Sequence, residues 1–519
     1  MSLVEESFDI EKAKSEIKIL VDKYEREKSN GRLESYSEEQ TKNDFILRLF
    51  KALGWDVYNE HGNTLTAEEK ASKGFVDYAF RINDIPKFFV EAKSFKAGVD
   101  KEDYALQAIN YSYHKSTTWA ILTNFEKIRV FNADWKGMDS LQIQFYSLNC
   151  ENFISDFDQL LLLSRESMLQ GLLDKQAEKW GKKVRKTPID KQLLYDFNEF
   201  REMLTKSILR KNESLNLTSD ELDESVQHMI DRLIFIRTVE DREIEPRRLL
   251  TLAREDNKGN LWKKLSQLYR DFDEMYDSNL FATHDCEKLV IDDDILETVI
   301  KRLHETDDHT IRYNFAAIDA DVLGNVYEQY LSHILKKTKK SAILQDGSAK
   351  RKEEAIYYTP TYVVDYIIKN TVGVLVKDKN QNYKKLKIID PSCGSGSFLI
   401  KALDYLISFD ADIEKFQELK TELYGKGLTT ERFYYLKNNI FGVDLDQKAV
   451  EIAQLNLMLR STERKERLPQ LQCNIRLGNS LITKSESSDK NMDWKEKFPQ
   501  VFQSGGFDVA VGNPPYFNI

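Results

Sequence analysis

Between residues 386 and 516 the chain repeats one pattern four times: a short apolar run that ends in a polar loop. LKIIDPSCGSGSFLIKAL (386–403) reads as strand, glycine turn and helix. NIFGVDLDQKAVEIAQLNLML (439–459) reads as strand, acidic end and helix. IRLGNSL (475–481) and FDVAVGNPPY (507–516) are two further strands that stop in polar loops. Strands that alternate with helices in this way build a doubly wound parallel sheet, and such a sheet takes its ligand at the carboxyl ends of its strands. This pattern governs everything after about residue 356.

Two other textures precede it. Over 35–150, Ser37 to Gln40 has the form of a capping box, and Phe45, Ile46, Leu49, Phe50 and Leu53 follow at helical spacing, with Gly54 placed to stop the helix. FVDYAF (75–80), KFFVEAK (87–93), WAILT (119–123) and IRVFN (128–132) read as strands, with a helix over 101–114 between the second and third. A compact α/β domain with a mixed sheet is expected there. Residues 151–350 read as almost wholly helical and poor in glycine. Their clearest stripe is Val322, Leu323, Val326, Tyr327, Tyr330, Leu331, Ile334 and Leu335. A basic stretch follows: Lys336, Lys337, Lys339, Lys340, Lys350, Arg351 and Lys352, either a solvated loop or a phosphate contact. The expected fold class is α/β multidomain, with parts at 1–150, 151–350 and 351–519.

Composition excludes several classes. With 76 Lys and Arg against 86 Asp and Glu, the net charge is −10, which argues against a surface coated for DNA but not against a local basic groove. No apolar run approaches the roughly 18 residues of a spanning helix, and residues 1–14 hold no apolar core of a secretion signal. Cys150, Cys286, Cys393 and Cys473 are scattered with no CxxC pair, which fits a reducing cytoplasm and argues against a disulfide framework or a cysteine zinc site.

A strand ending in Asp390, a turn with Gly394 and Gly396, and a helix make a cofactor cradle, because glycine lets backbone approach a ligand closely and the helix N-terminus faces a carboxylate. GxG alone also suits dinucleotide folds, but the third glycine of GxGxxG is absent here. The second strand ends in Asp444, placed to accept ribose hydroxyls, an acid that nicotinamide folds share. The deciding motif is Asn513-Pro514-Pro515-Tyr516. An exocyclic amine is a poor nucleophile, since its lone pair is delocalised into the ring. The Asn513 carbonyl and the backbone carbonyl of Pro514 can accept its two N–H bonds and leave the lone pair to attack a sulfonium methyl. The two prolines fix the loop, and Tyr516 stacks on a flipped base.

On these residues the chain resembles the amino-group DNA methyltransferases that use S-adenosylmethionine. YYTPTYVVDYII, DPSCGSGSFLI, FGVDLD, GNSL and NPPY look like their motifs X, I, II, III and IV, and NPPY resembles the N6-adenine class. The resemblance implies that Thr359 and Pro360 touch the methionine end of the cofactor, that Asp390, Gly394 and Gly396 form its turn, and that Asp444 holds the ribose. Asn479 stands where the family usually has an aspartate that reads the cofactor's adenine amine. Cys393 is not the nucleophile of cytosine-C5 enzymes. Motifs I and IV lie 513 − 394 = 119 residues apart, which implies the γ order, with target recognition after the catalytic motifs. A chain that stops three residues after Tyr516 is then expected to be a fragment lacking the later strands and that recognition domain, and to methylate weakly or not at all.

Asp77 and Glu91-Ala92-Lys93 lie on neighbouring expected strands. Two carboxylates and a lysine suit Mg²⁺-dependent phosphodiester cleavage: the acids are hard ligands, and the lysine positions a water and offsets developing charge. SEEQTKNDFILRLFKALGWDV, GFVDYAF, FFVEAKSF and WAILTNFEKIRVFN together resemble the PD-(D/E)xK nuclease domain fused to restriction-modification methyltransferases, with Val76 in place of the proline. That resemblance places Asp77 and Glu91 on the metal, turns Gln107 toward the site and makes Glu39 a candidate for a further acid. Glu60 and Glu68 are not assignable. Taken together, the chain resembles a type IIG (IIL-like) restriction-modification enzyme, which implies adenine methylation at a specific sequence in double-stranded DNA and Mg²⁺-dependent cleavage of unmethylated DNA. Two competing readings are a methyltransferase with a degenerate first domain, and a DNA-binding or cofactor-sensing module without catalysis.

Overall fold

The computed structural model describes residues 8–60, 64–67, 76–83, 85–137, 139–179, 185–254, 260–276, 280–318, 320–331, 333–337, 342–346, 359, 361–378, 382–409, 431–462, 470–482 and 492–514. Pro360, Pro515, Tyr516 and the basic residues 339–340 and 350–352 lie outside them. The chain divides into two compact units, Met1–Ile189 with His304–Ala317, and Asp190–Leu303 with Ile318–Ile519.

The first unit is built on a six-stranded sheet in sequential order: β1 (Leu65–Ala67), β2 (Tyr78–Ile82), β3 (Ile85–Ala92), β4 (Trp119–Thr123), β5 (Lys127–Asn132) and β6 (Gln144–Asn149). Only β3 and β4 pair in parallel, and the helix Glu102–His114 makes that crossover. Ser37 and Gln40 cap each other as the sequence leads one to expect. The helix they start runs through a π-helical turn, Lys42–Ile46, and continues as Leu47–Ala52. Gly54 ends it at φ +87°, where the Trp55 N–H donates to the Phe50 carbonyl at 3.1 Å. Phe45, Ile46, Leu49, Phe50 and Leu53 are all buried, and the rings of Phe50 and Phe88 close on Phe80 at 4.4 and 4.8 Å. Residues 304–317 complete this unit: the Asn314 N–H donates at 3.1 Å to Nε2 of His114, a side chain with no exposure.

The second unit joins long helices to a parallel sheet. Helix Ser219–Asp241 begins at a Thr218–Glu221 capping box and is buried on nearly every face from Leu222 onward. Its Arg232 is fully buried and donates to the carbonyls of Leu280 and Ala282 and to Glu287, so the charge is paired and hydrogen-bonded. Helix Ala320–Leu331 carries the first part of the apolar stripe read from the sequence. Ile334 and Leu335 do not continue it. They lie in β7 (His333–Lys337), antiparallel to β8 (Ala342–Asp346), because two adjacent apolar residues suit a strand as well as a helix.

The parallel sheet holds β9 (Ile388–Asp390), β10 (Ile440–Asp444), β11 (Ile475–Leu477) and β12 (Val509–Ala510) in the order β11-β10-β9-β12. The chain builds outward from β9 through β10 to β11, then returns to the other side of β9. The order therefore reverses between β9 and β12, and the crevice beyond their carboxyl ends is where an open sheet of this kind takes a ligand. No helix among the described residues is long and apolar enough to cross a membrane.

Candidate functional site

Two of the sequence-marked residues, Asp390 and Asn513, fall at that reversal point. Asp390 ends β9 and is 1% exposed; burial holds its carboxyl up at about 7, and the Ser392 N–H donates to Oδ1 at 3.0 Å. The turn then passes Gly394 at φ +50° and Gly396 at φ +88°, both in the left-handed region that favours glycine. A Cβ on Gly394 meets nothing within 4 Å, so the turn is open there, whereas a Cβ on Gly396 lies 3.3 Å from that of Ala453. The Gly394 N–H donates to Asp444 Oδ2 at 2.9 Å, and the Asp446 N–H donates to Oδ1 at 3.0 Å. Asp444 thus reaches from the end of β10 to the glycine turn. Its carboxyl is raised by burial, against the hydrogen bonds that lower it. Cys393 is buried and its thiol is pushed well above the usual range by burial, as befits an inert turn residue.

The Asn513 amide Nδ2 donates to Thr359 Oγ1 at 3.0 Å. Thr359 and Asn513, 154 residues apart, are therefore neighbours. Pro514 is exposed, while Pro515, Tyr516 and Pro360 fall outside the described residues. Asn479 follows β11, and its Oδ1 accepts the Leu481 N–H at 3.0 Å, a local turn bond that still leaves a lone pair. Gly512 carries no local signal in the sequence, yet a Cβ there would lie 2.5 Å from Asp390 Oδ1, so the two strand ends meet without a side chain between them. A separate cleft of about 590 Å³, lined by Asp231, His284, Asp446 and Glu451 among others, runs along a different stripe of the helix Gln447–Ser461; none of Asp390, Gly394, Gly396 and Asp444 lines it.

In the first unit the structure brings Asp77, Glu91 and Lys93 together. Asp77 precedes β2 and its N–H donates to the Val90 carbonyl. Its Oδ2 accepts the Ala92 N–H at 2.8 Å. Glu91, on β3, is 2% exposed, and burial raises its carboxyl to about 7 against the lowering pull of Lys93. Lys93 donates to Glu91 Oε1 and lies 4.7 Å from the ring centre of Tyr104. Burial lowers the Lys93 ammonium, but the Glu91 charge and hydrogen bond outweigh it and the net shift is upward. Gln107 Nε2 donates to Glu91 Oε2 at 3.3 Å, so this glutamine does face the acid. Glu39 accepts from Asn43, whereas Glu38 pairs at 2.8 Å with Lys42, whose Nζ also meets Asp77 Oδ1 at 2.5 Å. Lys42 is 1% exposed, and its burial was invisible because a lysine in a charged helix reads as surface. Among the described residues no group of three or more His, Cys, Asp or Glu side chains is already arranged to hold a metal ion.

The family described as Eco57I restriction-modification methylase matches residues 438–519, which include Asp444, Asn479 and the Asn513 loop. The chain is 30% identical over 542 residues to the type II restriction enzyme and methyltransferase RM.Eco57I of Escherichia coli, across 97% of this chain and 53% of that protein. It is 26% identical over 344 residues to the putative type II restriction enzyme and methyltransferase RM.MjaORFECS2P of Methanocaldococcus jannaschii, across 49% of this chain and 27% of that one. It is also 26% identical over 204 residues to the adenine-specific methyltransferase PglX of Streptomyces coelicolor, across 34% of this chain and 16% of that one. The chain spans about half the length of the first of these relatives.

Proposed function

We propose that this chain carries both active halves of a restriction-modification enzyme: an S-adenosylmethionine-dependent N6-adenine DNA methyltransferase in the second unit and a Mg²⁺-dependent PD-(D/E)xK endonuclease in the first. On this reading the nuclease occupies 1–150, the mainly helical 151–350 follows it in sequence and is shared between the two units, and 351–519 hold the catalytic motifs. The observation that carries it is the placement of Asn513 beside Thr359, at the strand-order reversal, next to the glycine turn that Asp444 holds.

The open space at Gly394 and the half-buried carboxylate of Asp444 suit a nucleoside-bearing cofactor. Asp444 would accept the ribose hydroxyls, Thr359 and Pro360 would contact the amino-acid end, and Asn479 would accept from the adenine amine. When bound, the cofactor supplies a sulfonium methyl as electrophile. Asn513 Oδ1 and the Pro514 carbonyl accept the two N–H bonds of an adenine amine, Pro515 stiffens the loop, and Tyr516 stacks on the flipped base. Asp77 and Glu91 have the hard oxygens that Mg²⁺ prefers and would hold it, where it polarises a phosphate; Lys93 would position the water. Double-stranded DNA is the substrate of both sites.

Incubation with unmethylated DNA and Mg²⁺ tests the nuclease half. Cleavage that Lys93→Ala abolishes supports the assignment, and cleavage that survives Lys93→Ala refutes it. A second reading, methyl transfer with a degenerate first unit, draws on one observation: Lys42 and the Ala92 N–H already occupy both oxygens of Asp77. Absence of cleavage by the unaltered protein across a range of Mg²⁺ concentrations would favour it.

A further inference from the structure

The helix Ala320–Leu331 has no part in the chemistry above, yet it touches the cofactor turn. We propose that Gly324 of this helix is a positioning residue for the turn: its bare Cα forms the seat on which Ser395 rests, while Asn456 holds the Ser395 carbonyl. The proposal rests on the S-adenosylmethionine reading of that turn.

A Cβ at position 324 would lie 2.8 Å from Ser395 Oγ, 3.2 Å from Ser395 Cβ and 3.5 Å from Asn456 Nδ2. Ser395 and Asn456 are both buried, so neither has solvent into which to swing. Asn456 Nδ2 donates to the Ser395 carbonyl at 3.0 Å. Gly396 adds a third close approach, with its Cβ position 3.3 Å from the Cβ of Ala453, and its N–H closes the turn on the Cys393 carbonyl at 2.8 Å. The turn is thus packed tightly at Ser395 and Gly396 and open at Gly394. A ligand loop gains affinity when its bound shape is fixed beforehand, and this packing fixes it. Gly324 has no positive φ to demand glycine, and glycine is the poorest ordinary residue for a helix interior. Close approach to Ser395 is the reason the structure offers for it.

The test is isothermal titration of the full chain with S-adenosylmethionine. Gly324→Ala is expected to raise Kd about tenfold, the scale of a modest overpacking cost. Gly324→Ala combined with Ser395→Gly, which removes the atoms struck, is expected to return Kd to within about twofold of the starting value. A helix weakened for any other reason would not be rescued by a change in the turn. If Gly324→Ala binds as tightly as the unaltered chain, or if the double variant stays as weak as the single one, the positioning role is overturned. Should Gly324→Ala not fold, Asn456→Ala, which only removes atoms, decides the matter: weaker binding supports the seat, and unchanged binding overturns it. No saturable binding by the unaltered chain would instead overturn the cofactor reading, and the inference with it.

Discussion

Asp390→Asn should make the second unit more stable and, on the cofactor reading proposed above, weaken its binding of S-adenosylmethionine. Asp390 is fully buried and its carboxyl stands at about 7, raised from 3.8 chiefly by burial. In the unfolded chain it ionises near 3.8, so between that pH and 7 the unfolded state holds fewer protons than the fold. Stability therefore falls as pH rises through this window. At about 1.4 kcal/mol per pH unit, the cost reaches about 4 kcal/mol at pH 8 and about 2 kcal/mol at pH 5. Asparagine has nearly the same shape, keeps an oxygen for the Ser392 N–H and has no charge to desolvate. Denaturant unfolding of Asp390→Asn against the unaltered chain, without ligand, should show a gain near 4 kcal/mol at pH 8 that shrinks toward 2 at pH 5. Titration with S-adenosylmethionine should show weakened binding. A loss of stability of equal size at both pH values would refute the reasoning, because it would mean that the buried charge is well solvated by its surroundings.

The remaining expectations concern both units. Lys42→Ala strands the Asp77 carboxylate beside Glu91 and should destabilise the first unit by about 3 kcal/mol in denaturant unfolding, the cost of breaking a buried ion pair. His114 is buried neutral, its imidazole lowered to about 4 by burial; the unfolded state takes up its proton first, so the first unit should lose stability as pH falls from about 6.5 to 4, and His114→Gln should flatten that slope. Gly512→Ala places a methyl against Asp390 and should weaken binding of S-adenosylmethionine about tenfold, measured by titration, and leave the cleavage proposed for the first unit unchanged.

What the sequence made legible was whatever depends on local spacing. The parallel order of β9 to β12, the capping box at Ser37, the stop at Gly54 and the strands around Asp77 and Glu91 all follow from short-range pattern. What it concealed depends on distant residues meeting. A lysine in a charged helix gives no sign that it will be buried between Glu38 and Asp77. Gly324 and Gly512 looked like incidental glycines because the side chains that exclude a Cβ, Ser395 and Asp390, lie 71 and 122 residues away. Residues 304–317 read as part of a helical connector, yet Asn314 packs on His114.

A crystal of this chain grown with S-adenosylhomocysteine would show where the ligand sits relative to the turn after Asp390. The ribose is expected within hydrogen-bonding distance of Asp444, the amino-acid end near Thr359 and the sulfur facing Asn513. A ligand bound instead in the cleft beside Asp231 and Glu451, or a turn at Gly394 that holds no ligand at saturating concentration, would contradict that placement.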